Sequence, residues 1–171
     1  MIPLKVVKSI VQFLHSNISP IEIALGFGFG VIAGLLPTGT LLSFFLLICV
    51  IILNVNFSAF LLSTGLFKLI AYIIDPVAHR IGYFLLVKLD FMENIWTSLY
   101  NMPFIPFTRF YNTVVLGSFV IGILLFIPTV VVVQKFIVFY RKNLAYKVEQ
   151  LKIVKLIKLS SWYDWYNKLK S

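Results

Sequence analysis

Residues 17–37, NISPIEIALGFGFGVIAGLLP, join a helix start signal to an almost uncharged apolar run that carries glycine at positions 26, 30 and 34. Ser19 is a candidate N-cap, Pro20 suits the first helical position, and Glu22 completes a capping box. The four-residue spacing places Gly26, Gly30 and Gly34 on one helix face. Bare of side chains, that face lets another backbone come close, which is how helices associate where lipid removes the hydrophobic drive between them. The run reads as a membrane helix built to touch another helix.

Composition points the same way. The chain is 60% hydrophobic and 12% charged, with a mean hydropathy of +0.98, whereas soluble domains carry roughly a quarter charged residues. Its 171 residues allow one domain of a few spans with flanking segments. Cys49 is the only cysteine, so disulfide and CxxC chemistry have no material; it reads as a small buried hydrophobe. The first residues alternate lysine with apolar side chains and lack a signal-peptide cleavage pattern, so the first span is expected to act as its own signal.

The expected fold is an all-α integral membrane protein with about four membrane-embedded helices. Residues 1–16 place Lys5, Lys8 and Gln12 against apolar neighbours, as in an interfacial amphipathic helix. The membrane domain covers 17–143, with spans at about 19–36, 41–53, 58–74 and 109–140. Pro37, Thr38, Gly39 and Thr40 make a tight turn between the first two. The second span is short for a hydrocarbon core of about 30 Å, which takes about 20 helical residues to cross. Either the pair crosses fully, with Asn54 and Asn56 at the far surface, or it enters and returns as a re-entrant hairpin buried among other helices. Asp75 and Pro76 end the third span, residues 75–108 form an external interfacial segment, and the last span has a kink at Pro128. Residues 144–171 form a basic amphipathic tail.

Lysine and arginine set the orientation. Two of the 15 precede the first span and nine follow Val133, so the positive-inside rule puts both termini in the cytoplasm. In the tail, Lys147, Lys152, Lys155 and Lys158 crowd one side, followed by Trp162 and Trp165. That pattern suits anionic inner-leaflet lipids, and nucleic acid is not expected as a partner.

Candidates for chemistry are few. Gly28, Gly30 and Ala33 match a dinucleotide fingerprint, but no strand precedes them and no acidic residue lies between Glu22 and Asp75, so nucleotide binding is rejected. Asp75 and His79 lie one turn apart, yet two ligands without a third make no metal site, and Asp75 capping a helix at Pro76 is the simpler account. No cofactor is expected. Lys68 stands out, because an ammonium inside a span must find a partner, reach the surface or line a wet cavity. Asp75 lies seven residues on along the same helical face, Glu22 or Asp90 would have to arrive from elsewhere, and Arg109 sits at the entrance of the last span. A weak internal echo sets Leu25, Gly26 and Pro37 against Leu116, Gly117 and Pro128, as in the repeats of transporter folds.

The core SPIEIALGFGFGVIAGLLP, then Asn56, Ser58 and Ala59, Asp75 and Pro76, Tyr100, Asn101 and Pro103, and the run TRFYNTVVLGS at 108–118 resemble a bacterial inner-membrane family of unknown function. The glycine-proline core is shared with a broader domain-of-unknown-function family that carries Asn-Pro where this chain has Gly65, Leu66, Phe67 and Lys68. The departure points to a narrower subgroup. Its members tend to be encoded beside AsmA-like proteins, which are thought to carry lipid between membranes. The resemblance therefore implies a non-enzymatic component that anchors, or feeds phospholipid to, an AsmA-like partner, while the small residues Gly26, Gly30, Gly34 and Gly117 are the helix-packing positions, toward a helix either of this chain or of the partner. The alternative is a small transporter or channel with a midplane site near Lys68. An enzyme is not expected, since no nucleophile–base pair, metal cluster or paired carboxylates can be assembled.

Overall fold

The computed structural model describes residues 18–144. The interfacial helix expected at 1–16 and the basic tail, with Lys147, Lys152, Lys155, Lys158, Trp162 and Trp165, lie outside the described residues. Among the described residues five α-helices follow one another: α1 Pro20–Leu35, α2 Leu41–Ile52, α3 Phe57–Tyr83, α4 Glu93–Tyr100 and α5 Thr113–Phe139. A π-helical turn Phe84–Lys88 prolongs α3, another at Tyr140–Leu144 prolongs α5, and 3-10 turns at Asp90–Met92 and Ile105–Thr108 flank α4. Among the described residues there is no strand.

Packing divides the described residues into two units, 19–134 and Ile18 with 135–144. In the described part of the second unit Ile137 and Tyr140 are buried, and the Arg141 guanidinium donates to the Ile18 carbonyl at 2.8 Å.

In the first unit α1 is the central helix. Ile23, Ala24, Val31, Ile32 and Leu35 are buried along with Gly26, Gly28, Gly30 and Gly34. α2 folds back along it. Leu42 and Leu46 pack with Ile32 and Leu36 near the turn, and Leu47 and Val50 pack further back with Leu25. The return is completed where the Asn56 amide donates to the Glu22 carbonyl at 3.2 Å. α3 then starts beside the start of α1 and runs parallel to it. α5 runs the other way, with Gly122 against Ile32 and Gly28 against Phe126 and Val130.

Two helical stretches, Phe57–Lys88 and Thr113–Asn143, are long and apolar enough to cross a membrane, and only 22% of the most apolar part of each is buried. Their outward surface is apolar too: Tyr72 and Ile73 on α3 are 77% and 78% exposed, Ile127 on α5 70%. A helix hydrophobic toward both bundle and surroundings suits lipid better than water. By contrast α1 and α2, at 16 and 12 residues, rise only about 24 and 18 Å.

Two expectations need correction. The third span does not end at Asp75: α3 continues through Pro76 to Tyr83. Proline removes one donor and crowds the carbonyl a turn earlier, yet Ala71 packs with Val31 and Leu35 before it, and Gly82 lies against Thr113 after it. Packing on both sides outweighs the local break. Asp75 therefore caps nothing. The capping box at α1 does not form either, for Ser19 makes no side-chain cap bond and Glu22 is exposed. Pro20 at the first position already lacks one of the donors that such a box would satisfy. The last span begins near Arg109 and Asn112 as expected: α5 starts at Thr113, where Asn112 Oδ1 accepts from the amides of Val114 at 2.9 Å and Val115 at 3.2 Å and so fixes the first turn. The helix passes through Pro128 unbroken.

The glycines are not equivalent. A Cβ on Gly30 would meet Ser63 Cβ at 2.5 Å and the Phe60 carbonyl at 2.6 Å, whereas one on Gly65 meets nothing within 4 Å. Gly30→Leu is expected to abolish a monodisperse folded species in mild detergent, while Gly65→Ala should raise stability by about 0.5–1 kcal/mol, the usual gain within a helix. Thermal unfolding followed by gel filtration reads both.

Candidate functional site

The glycine stripe expected on sequence grounds faces a helix of this same chain. Gly26 lies against Ala59 and the Asn56 carbonyl, Gly30 against Ser63, and Gly34 against Phe67 and the Thr64 carbonyl. The side-chain partners Ala59, Ser63 and Phe67 each lie 33 residues on, so two four-residue stripes run in parallel register. Ser63, fully buried, donates its hydroxyl to the Phe27 carbonyl at 2.7 Å. Such an interhelical bond is worth roughly 0.6 kcal/mol in a membrane bundle. Gly117 serves a second contact, between α5 and α3, where it abuts the Ala78 carbonyl as Gly82 abuts Thr113. Gly28, Gly82 and the Ala59–Ser63 stripe escaped sequence reading. The stripe was visible as small residues four apart, opposite a glycine run of the same period.

This register decides what Lys68 does. It brings the end of α1 level with Lys68, whose ammonium donates to the Leu36 carbonyl at 2.5 Å. A helix that stops inside a bundle leaves its last carbonyls without partners and concentrates partial negative charge there. α1 has no basic residue in its own last turn, so α3 provides the cation. The rest of the turn is satisfied locally. Thr40 caps α2 by accepting from the Ser43 amide at 3.2 Å, the Ser43 hydroxyl reaches the Pro37 carbonyl at 3.5 Å, and Gly39 takes a φ of 78° that favours glycine.

Asp75 acts on the Lys68 ammonium through space, and Glu22 is remote from it. Glu22 lies in the first turn of α1, at the opposite end from Leu36, and Asp75 sits half-buried nearly two turns further along α3. His79 does not turn to Asp75: its Nδ1 lies 2.7 Å from the Thr113 hydroxyl, joining α3 to the start of α5. Among the described residues no three His, Cys, Asp or Glu side chains gather as a metal site would need.

Arg109 is exposed and adopts a left-handed conformation, φ 58°, in a loop closed by Arg109 N to Pro106 O and Asn112 N to Arg109 O, both 2.9 Å. It borders an open groove of about 560 Å³ with Thr40, Phe44, Phe107 and Tyr111. Beside it an aromatic layer forms, with Trp96 stacked on Phe110 at 5.9 Å and Tyr100 against Tyr111 at 5.6 Å. The Trp96 indole donates to the Leu85 carbonyl at 2.9 Å.

A bacterial family described as an uncharacterized protein conserved in bacteria, DUF2062, matches residues 5–145, which include every element above. The chain belongs to the DUF2062 family. This DUF2062 protein is similar to an uncharacterized protein of Treponema pallidum (strain Nichols), 28% identical over 150 residues that cover 88% of this chain and 92% of the relative. No solved structure matches it.

Replacing Lys68 by methionine keeps the length and apolar stem but strands the Leu36 carbonyl. The expected loss is about 1–2 kcal/mol of unfolding free energy, read in detergent against Lys88→Met, an exposed lysine whose change should be near zero.

Proposed function

We propose that this DUF2062 protein is a non-enzymatic component of the bacterial inner membrane that anchors, or feeds phospholipid to, an AsmA-like membrane-anchored partner. α3 and α5 cross the bilayer, both termini are cytoplasmic, and residues 84–112 form the cap on the outer side. α1 and α2 enter and return as a re-entrant hairpin. Their rises of about 24 and 18 Å fall short of a hydrocarbon core of about 30 Å, and the polar turn at their tip has the internal partners that membrane depth demands.

The observation that carries this reading is the surface of the cap. Phe91 and Phe104 are each 73% exposed, on a segment that lies past the end of α3. Large exposed apolar side chains at such a place support a contact with a partner. The glycine face, filled by α3, leaves docking of a partner helix to this surface instead.

Co-purification in mild detergent tests it. Phe91→Glu combined with Phe104→Glu is expected to reduce recovery of the AsmA-like partner several-fold while the protein still elutes as the folded species; unchanged recovery counts against the reading. The transporter alternative makes a different forecast. It requires solute flux in reconstituted vesicles that Lys68→Met abolishes, although the Lys68 ammonium is already engaged by Leu36.

A further inference from the structure

We infer that the groove between the α1–α2 turn and the 106–111 loop holds the phosphate headgroup of one phospholipid, with Arg109 on the phosphate and Phe44 and Phe107 against the adjoining carbons. The inference rests on the membrane reading above and names the site through which lipid would be handled.

Charge and shape both favour this occupant. Arg109 is the one charged residue among those lining the groove, so no carboxylate there competes for its guanidinium. Its planar fork suits a phosphate oxygen pair better than any other common anion-binding side chain. The loop spends a left-handed backbone on a residue with a Cβ in order to put it there, and two backbone hydrogen bonds hold that turn. The opposite wall is fixed as well, through the Thr40 and Ser43 contacts.

An acidic peptide would satisfy the cation but leave the walls bare. Phe44 is 59% exposed and Phe107 68% exposed, on either side of the groove. From Phe44 the exposed side chains Ile48, Ile51 and Ile52 continue along one face of α2 at helical spacing. A single cation at the head of an apolar track is the complement of a phosphodiester joined to acyl chains.

The test uses the full chain reconstituted in phosphatidylcholine vesicles doped with phosphatidylglycerol that carries a photoactivatable group near its glycerol. After irradiation, adducts are expected on the peptides holding residues 39–44 and 106–111. Arg109→Ala should lower that labelling about tenfold, as expected for loss of a charge-assisted paired contact. Arg109→Lys should lower it less, and Lys88→Ala not at all. Phe44→Asp, which sets a carboxylate across from Arg109, should repeat the loss; each variant must elute and unfold as the wild type does. Equal labelling of wild type and Arg109→Ala overturns the inference, as does an equal fall in Lys88→Ala, which would mean diffuse surface charge. Displacement of the label by glycerol 3-phosphate or by a soluble glutamate-rich peptide also overturns it, assigning the groove to a free phosphate or to a protein carboxylate. Because the isolated chain is labelled, absence of adducts and loss of partner recovery are separate results.

Discussion

Close backbone contact between α1 and α3 is the constraint from which the remaining arrangement follows. Gly26, Gly30 and Gly34 meet Ala59, Ser63 and Phe67 in constant register, and the missing side chains let two parallel helices approach far nearer than leucine or phenylalanine would allow. Parallel helices that adjoin in a bundle need a connection that returns the chain to its starting end. α2 is that connection. Its 12 residues bring the chain back to where the Asn56 amide meets the Glu22 carbonyl, and α3 begins there.

A helix pair that turns around within the bundle creates an electrostatic problem at its tip. The end of α1 presents carbonyls and a partial negative charge that a neighbouring donor can satisfy. Lys68 answers this from a different helix, and it reaches Leu36 only because the glycine register sets the two at the same height. The lysine and the glycines are thus one device: the stripe fixes the height, and the ammonium neutralises what ends there. Ser43 and Thr40 then close the turn with hydroxyls.

The far end of the bundle follows a different rule. α3 and α5 pack backbone to backbone where Gly82 and Gly117 face Thr113 and Ala78, and His79 bonds to Thr113 beside them. Beyond this clasp the chain crosses from one long helix to the other through α4 and two 3-10 turns, and its aromatic side chains stack on one another rather than sink into a core. Tryptophan and tyrosine gathered past the ends of long apolar helices have the amphipathic character of a membrane-surface layer. The groove beside Arg109 opens where the loop of this cap lies against the hairpin turn.

Much of this was written in the residues themselves. A composition too apolar for water, the start of the first helix at Pro20, the turn at Thr38 and Gly39, and a glycine face meant for a helix are local properties of the chain, as is the cap that Asn112 provides for α5. Local pattern misjudged Pro76, since a proline's cost is intrinsic but the packing of Ala71 and Gly82 that overrides it is not. It misread Glu22 for a similar reason, because a capping box can be spelled out by spacing and still go unformed. The sequence by itself determined that the helices associate through small residues, for that depends on side-chain size along one face. Which helix fills the glycine face, that Lys68 serves Leu36, and that Arg109 comes to lie across from Phe44 were decided by the tertiary structure, because each joins residues 32 to 65 positions apart whose meeting is set by register and not by neighbourhood in the chain.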